Sequence, residues 1–85
     1  MNLSRISRVD LHSVKYSSAW EAQIILSWKN RPSRTSVTRT LKKELGSIEC
    51  LLDKDFSFRH DVNMDTTYIF FRHKTDAVSW YLMIS

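Results

Sequence analysis

The stretch TTYIFFRHKTDAVSWYLM, residues 66–83, decides the fold. Four large apolar residues stand in a row: Tyr68, Ile69, Phe70 and Phe71. A strand sends successive side chains to opposite faces, so only two of the four reach one core. Ile69 and Phe71 then share one face, and Tyr68, Phe70 and Arg72 share the other. After the strand the period changes. Thr75 or Asp76 is placed to cap a helix whose inner side holds Ala77, Trp80, Tyr81 and Ile84. Val78 and Leu82 fall on its flank, and Met83 is left over. An apolar helix that follows a strand at once covers one face of the sheet. The two aromatic rings on the other face then have nothing behind them.

Upstream, residues 56–62 alternate as a strand, with Phe56, Phe58, His60 and Val62 on one face and Ser57, Arg59 and Asp61 on the other. VNMD at 62–65 is the turn between this run and the strand at 68–72. Further upstream, Val37, Leu41, Leu45 and Ile48 recur at helical spacing. Ser33 or Ser36 is placed to cap that helix, and Gly46 to end it as a left-handed residue. Pro32 separates it from residues 20–28. There Trp20, Ala22, Ile24, Leu26 and Trp28 alternate with Glu21, Gln23, Ile25 and Ser27. Residues 5–16 form one more strand, with Val9 and Leu11 in phase and Val14 and Tyr16 out of it, so a bulge or bend is expected. A hairpin across Ser17-Ser18 joins the first two strands.

The order is strand, strand, helix, strand, strand, helix. The expected fold is α+β, one domain over residues 1–85. It is a two-layer sandwich with a four-stranded antiparallel sheet and two helices on one face. From the second strand onward the order is β-α-β-β-α, which resembles the ferredoxin-like plan without its last strand. The N-terminal strand takes the missing place, giving a permuted ferredoxin-like sheet. A sandwich with another strand order is the alternative.

The unit built by Tyr68-Ile69-Phe70-Phe71 and Asp76-Ala77 also resembles the third strand and second helix of RNA-recognition-motif domains. In that family a buried apolar residue and a buried Phe, two apart, are followed six residues later by a helix alanine. Ile69, Phe71 and Ala77 stand in those places. The resemblance covers less than a quarter of the chain. The family's opening of a basic residue, glycine, an aromatic and a small residue is missing, since Asp65, Thr66 and Thr67 stand there. The family's first exposed aromatic falls near Thr66 and its second at Tyr68. The resemblance implies a buried Ile69 and Phe71, an exposed Tyr68, and RNA binding. In size and composition the chain is also similar to the short accessory proteins of large phages.

Charge narrows the partner. The chain carries a net charge of +4 with a pI near 9.5, which favours acidic partners. The excess is local. Lys29, Arg31, Arg34, Arg39, Lys42 and Lys43 crowd residues 29–43 without an acid, whereas Asp53, Asp55, Asp61 and Asp65 come later. Arg39, Lys42 and Lys43 lie opposite the apolar stripe of their helix. Each alone reads as a solvated residue. With Arg31 and Arg34 they make a basic patch.

Enzyme chemistry finds little support in the sequence. His12, His60 and His73 are scattered, with no HExxH spacing. His60 is in phase with Phe56 and Phe58, so it reads as a core or rim histidine, and His73 as a solvated strand end. His60 and Asp61 are neighbours on a strand and point apart. The single Cys50 excludes an internal disulfide and a cysteine-rich zinc cluster, and reads as a small buried hydrophobe in a reducing cytosol. The single glycine leaves no phosphate-binding loop. No catalytic residue, metal or cofactor is expected. No apolar run approaches the roughly 20 residues that span a bilayer. The first ten residues hold no apolar signal core. A cytoplasmic chain without membrane contact is expected.

The expected function is therefore binding. A small regulator or inhibitor would use Tyr68, Phe70, Arg72 and Arg59, flanked by Ile25 and Gln23, to hold a protein partner or a second copy of itself. The alternative is a single-stranded RNA or DNA module, with bases stacked on Tyr68 and Phe70 and phosphates held by arginines and the basic patch. That patch runs onto a helix in the opposite layer, which favours the protein partner.

Overall fold

The computed structural model describes residues 5–84. The reading of the N-terminus as lacking a signal core rests partly on residues 1–4, outside the described residues. The elements are β1 (Ile6–Ser13), β2 (Ala22–Trp28), α1 (Arg34–Gly46), β3 (Phe56–Asp61), β4 (Thr66–Phe71) and α2 (Lys74–Ile84). They form an α+β fold with one four-stranded antiparallel sheet in the order β1-β2-β4-β3. Hairpins join β1 to β2 and β3 to β4. Between them, α1 carries the chain from β2 past β4 to β3.

Alternation in the strands decides which face is buried. Ala22, Ile24 and Leu26 lie opposite Phe71, Ile69 and Thr67, and Phe56 lies opposite Phe71 from the other side. These seven residues have no exposed surface. Val37, Leu41 and Leu45 of α1 and Ala77 and Trp80 of α2 close the same core. The Phe71 ring is flanked by Trp80 at 6.4 Å and Phe56 at 6.5 Å, both tilted, as ring quadrupoles favour. Both helices therefore cover one face of the sheet. Among the described residues no helix covers the other.

The structure decides between the two expected caps of α1 and corrects several other local expectations. Ser33 caps α1, its Oγ accepting from Ser36 N–H at 3.1 Å. Gly46 does not end the helix in the left-handed region; it is the last residue of α1, and Ser47 follows at φ −67°. The left-handed residue is Glu49, at φ 64°. It lets Cys50 N–H reach back to Leu45 O at 2.9 Å, so the turn closes three residues later than the glycine suggests. Neither Thr75 nor Asp76 caps α2, because the helix already starts at Lys74. Its Lys74 N–H donates instead to Glu21 Oε1 at 2.9 Å, a carboxylate supplied from the loop just before β2.

The N-terminal hairpin also differs. Trp20 lies before β2 and outside the core, because residues 14–21 form a loop rather than a tight turn. In that loop Ser17 Oγ accepts from the N–H groups of Ala19 and Trp20 at 3.1 and 3.2 Å. Tyr16 is fully exposed. The register slip of β1 sits between Ile6 and Arg8, at the opposite end from Val14 and Tyr16. Val62 leaves the strand face for an exposed turn, where Asp61 Oδ1 accepts from Asn63 and Met64 N–H.

Candidate functional site: the open face of the sheet

The strand register writes out the uncovered face in rows. One row runs Asp10, Ile25, Tyr68, Arg59 across β1, β2, β4 and β3. The next runs His12, Gln23, Phe70, Ser57, and a third runs Arg8, Ser27, Thr66, Asp61. Ile25, Gln23, Tyr68 and Phe70 are half-buried by their neighbours, and Arg59 is exposed. The contrast with fully buried Ile69 and Phe71 follows from the two-residue period alone.

Two arginines lie against aromatic rings at this surface. The Arg59 guanidinium sits 5.1 Å from the centre of the Tyr68 ring. Arg72, just past the end of β4, sits 5.2 Å from the centre of the Trp20 ring. Its Nε also donates to Lys54 O at 2.7 Å, and its backbone N–H to Asp55 O at 2.9 Å. Arg72 is thus held by the chain's own carbonyls, and Arg59 is the freer of the two. Trp20 is the member that the alternation placed on one strand face with Ala22, Ile24 and Leu26. The polar Ser17-Ser18 run just before it is the signal that the strand has not yet begun there. Arg8 and Asp10 pair at 2.9 Å on the same face.

The basic residues lie elsewhere. Arg34, Arg39 and Lys42 line a shallow groove of about 480 Å³ on α1 with Thr35 and Thr38. Lys43 points to a neighbouring recess beside Arg39, Thr40 and Glu44. Arg31 stands apart, its Nε 3.6 Å from Asp65 Oδ2. Since the apolar stripe of α1 faces the sheet, this basic surface and the row of Tyr68 lie on opposite sides of the molecule.

His60 and Cys50 lie away from the open face. His60 bonds Thr67 and Pro32 in the partly buried rim. Cys50 is buried, and its thiol is pushed up to about 12, first by desolvation and then by Asp76 and Asp55. Among the described residues no three His, Cys, Asp or Glu side chains are grouped to hold a metal ion. No described helix is long and apolar enough to cross a membrane. No protein-family model matches the chain, and no curated protein or solved structure matches it.

Proposed function

We propose that this chain is a small non-catalytic interaction module that holds a protein partner on the open face of its sheet. The observation that carries the reading is the row Asp10, Ile25, Tyr68, Arg59 with Gln23 and Phe70 beside it, on a face that no described helix covers. Aromatic rings at an uncovered surface remain partly in water, and burying them against a partner is favourable. Aromatics accompanied by arginine are the composition of interface hot spots. Arg59 already rests on Tyr68, which lowers the ordering cost of binding. A chain of this kind regulates or inhibits by occupying its partner's surface.

Two features favour protein over single-stranded nucleic acid. Arg59 occupies a face of Tyr68 on which a base would stack. The basic groove of α1 lies across the sheet from the rings, out of reach of one short strand. The fold we propose for this module is the permuted ferredoxin-like plan. Its support is that β4 lies between β2 and β3 while β1 flanks β2 on the outside.

The test compares the native chain with Tyr68→Ala/Phe70→Ala, both checked for fold by circular dichroism. Protein retained from a cell extract by the native chain and lost with the double variant supports the reading. Micromolar binding of RNA or single-stranded DNA that weakens steeply with salt would replace it with the nucleic-acid one.

A further inference from the structure

Among the described residues β1 is an outer strand, and no described strand pairs with its outer edge. Trp28 N–H bonds Asp65 O in the β2–β4 direction at 2.9 Å, and Val14 N–H bonds Glu21 O at 3.0 Å between the first two strands. Backbone groups alternate in direction along an antiparallel strand. Those of Asp10 and His12 therefore point into the sheet, and those of Val9, Leu11 and Ser13 point outward. The other outer strand, β3, is partly occupied, since Leu52 bridges to Phe56 and Asp53 N–H bonds Phe56 O.

We propose that a second copy of the chain pairs with β1 along this edge, antiparallel about a two-fold axis at Leu11, to give a dimer with one continuous sheet. Outward groups meet only when odd-numbered residues face odd-numbered ones, so the axis passes through one of residues 9–12. An axis at Asp10 sets two carboxylates against each other at about 4.5 Å between Cα atoms. An axis at Val9 runs into the register slip between Ile6 and Arg8. An axis at His12 leaves a short ladder, because β1 ends at Ser13. The axis at Leu11 sets Asp10 against the partner's His12 in both directions and Val9 against the partner's Ser13, clear of the slip.

The helix above this edge makes a second, independent case. α2 packs on β1, β2 and β4. Asp76 acts on the buried Cys50 thiol, which follows the end of α1, so Asp76 is on the flank of α2 nearest that end. At about 100° per residue, Tyr81 and Val78 then lie on the other flank, toward the free edge of β1, with Leu82 beyond them on the outer side of the helix. Leu82 is 70% exposed there. Pairing at β1 brings the two α2 helices to the same side of the joined sheet, roughly 10–14 Å apart at the usual strand spacing. Tyr81 and Val78 from each helix fill that gap, and Leu82 closes its outer side. This dimer does not rest on the protein-partner reading of the open face, which it leaves uncovered and doubles in length.

Light scattering and sedimentation of the purified full chain over a concentration series test it. A dimer is expected for the native chain. Ser13→Pro removes one outward N–H at an exposed residue, and Leu82→Glu places a charge at the outer side of the gap between helices. Each is expected to weaken the dimer by about tenfold or more, with circular dichroism unchanged. In a Cys50→Ser background, Leu11→Cys is expected to cross-link to its copy under mild oxidation, since facing Cα atoms at about 5.5 Å suit a disulfide. Val9→Cys is not, because it faces the partner's Ser13. A native chain that stays monomeric, a dimer indifferent to both surface variants, or preferential cross-linking through Val9→Cys would overturn the proposal.

Discussion

The hydroxyl of Thr67 accepts a hydrogen bond from Trp28 Nε1 at 2.8 Å, and this pair ties β2 to β4 inside the covered layer. Thr67 has no exposed surface and is, among the described residues, the buried polar residue of the core. His60 Nδ1 lies 2.8 Å from the same hydroxyl, and His60 Nε2 lies 3.2 Å from Pro32 O. An indole only donates and a carbonyl only accepts, so with a neutral His60 imidazole the direction of every proton is fixed. Trp28 donates to Thr67, Thr67 donates to His60 Nδ1, and His60 Nε2–H donates to Pro32 O. The chain of bonds anchors the segment that enters α1 to three strands.

Thr67→Val keeps the shape and removes the hydroxyl. Trp28 Nε1 and His60 Nδ1 then lose a partner in a partly buried site, at a cost of about 1–3 kcal/mol. Thr67→Ser retains the bonds and is expected to fall nearer the native chain. Urea denaturation of the three proteins measures this, and equal midpoints for native and valine forms would show that the bonds carry no net stability.

The two faces of β4 are expected to respond very differently to truncation. Phe71→Ala removes a ring packed between Phe56 and Trp80 and should cost about 3–5 kcal/mol. Tyr68→Ala/Phe70→Ala removes two half-buried rings whose cross-strand partners contribute about 0.2–1 kcal/mol each. The double variant should therefore lose less stability than Phe71→Ala alone. A larger loss would make the two rings structural and remove them as a binding surface.

The parts of this fold that were legible in the sequence are those set by period. Ile69 and Phe71 inside with Tyr68 and Phe70 outside, and the Val37, Leu41, Leu45 stripe, follow from periods of 2 and 3.6 residues. What was not legible depends on contacts between distant residues or on which local signal wins. Gly46 is the residue best suited to a left-handed turn, yet it stays helical as the last residue of α1 and Glu49 takes that conformation. The cap of α2 comes from a residue 53 positions upstream. Trp20 looked like a continuation of β2, but the Ser17 turn and the Arg72 guanidinium hold it outside the core. Of the candidate site, the flanking of Tyr68 by Arg59 and Ile25 is a matter of register. The engagement of Arg72 by Lys54 O is not, because it needs the loop before β3 in place.

That distant cap is testable. Glu21→Ala leaves the Lys74 N–H without its carboxylate and takes a negative charge from the positive end of the α2 dipole. A loss of about 0.5–2 kcal/mol is expected by denaturation, with Glu21→Gln intermediate because its amide oxygen still accepts. No change in either variant would show that water replaces the cap at no cost.

Cys50 supplies a pH dependence with a defined sign. Burial, then Asp76 and Asp55, raise its thiol from the ordinary 9.0 to about 12 in the folded chain. The folded state therefore holds this proton more tightly than the unfolded state does. Its contribution is fully present below about pH 9, falls as pH rises above that value, and is lost through about pH 12. Other groups titrate in the same range, so the quantity to measure is the difference in stability between the native chain and Cys50→Ala at pH 8, 9, 10 and 11. That difference is expected to be flat up to about pH 9 and then to shrink, the native chain losing ground to the variant. Alkylation gives a second reading. At pH 8 the folded chain should resist iodoacetamide, which needs the thiolate, and react once urea unfolds it. A thiol that reacts at an ordinary rate in the folded protein, or a stability difference independent of pH, would mean that neither burial nor the nearby carboxylates act on Cys50.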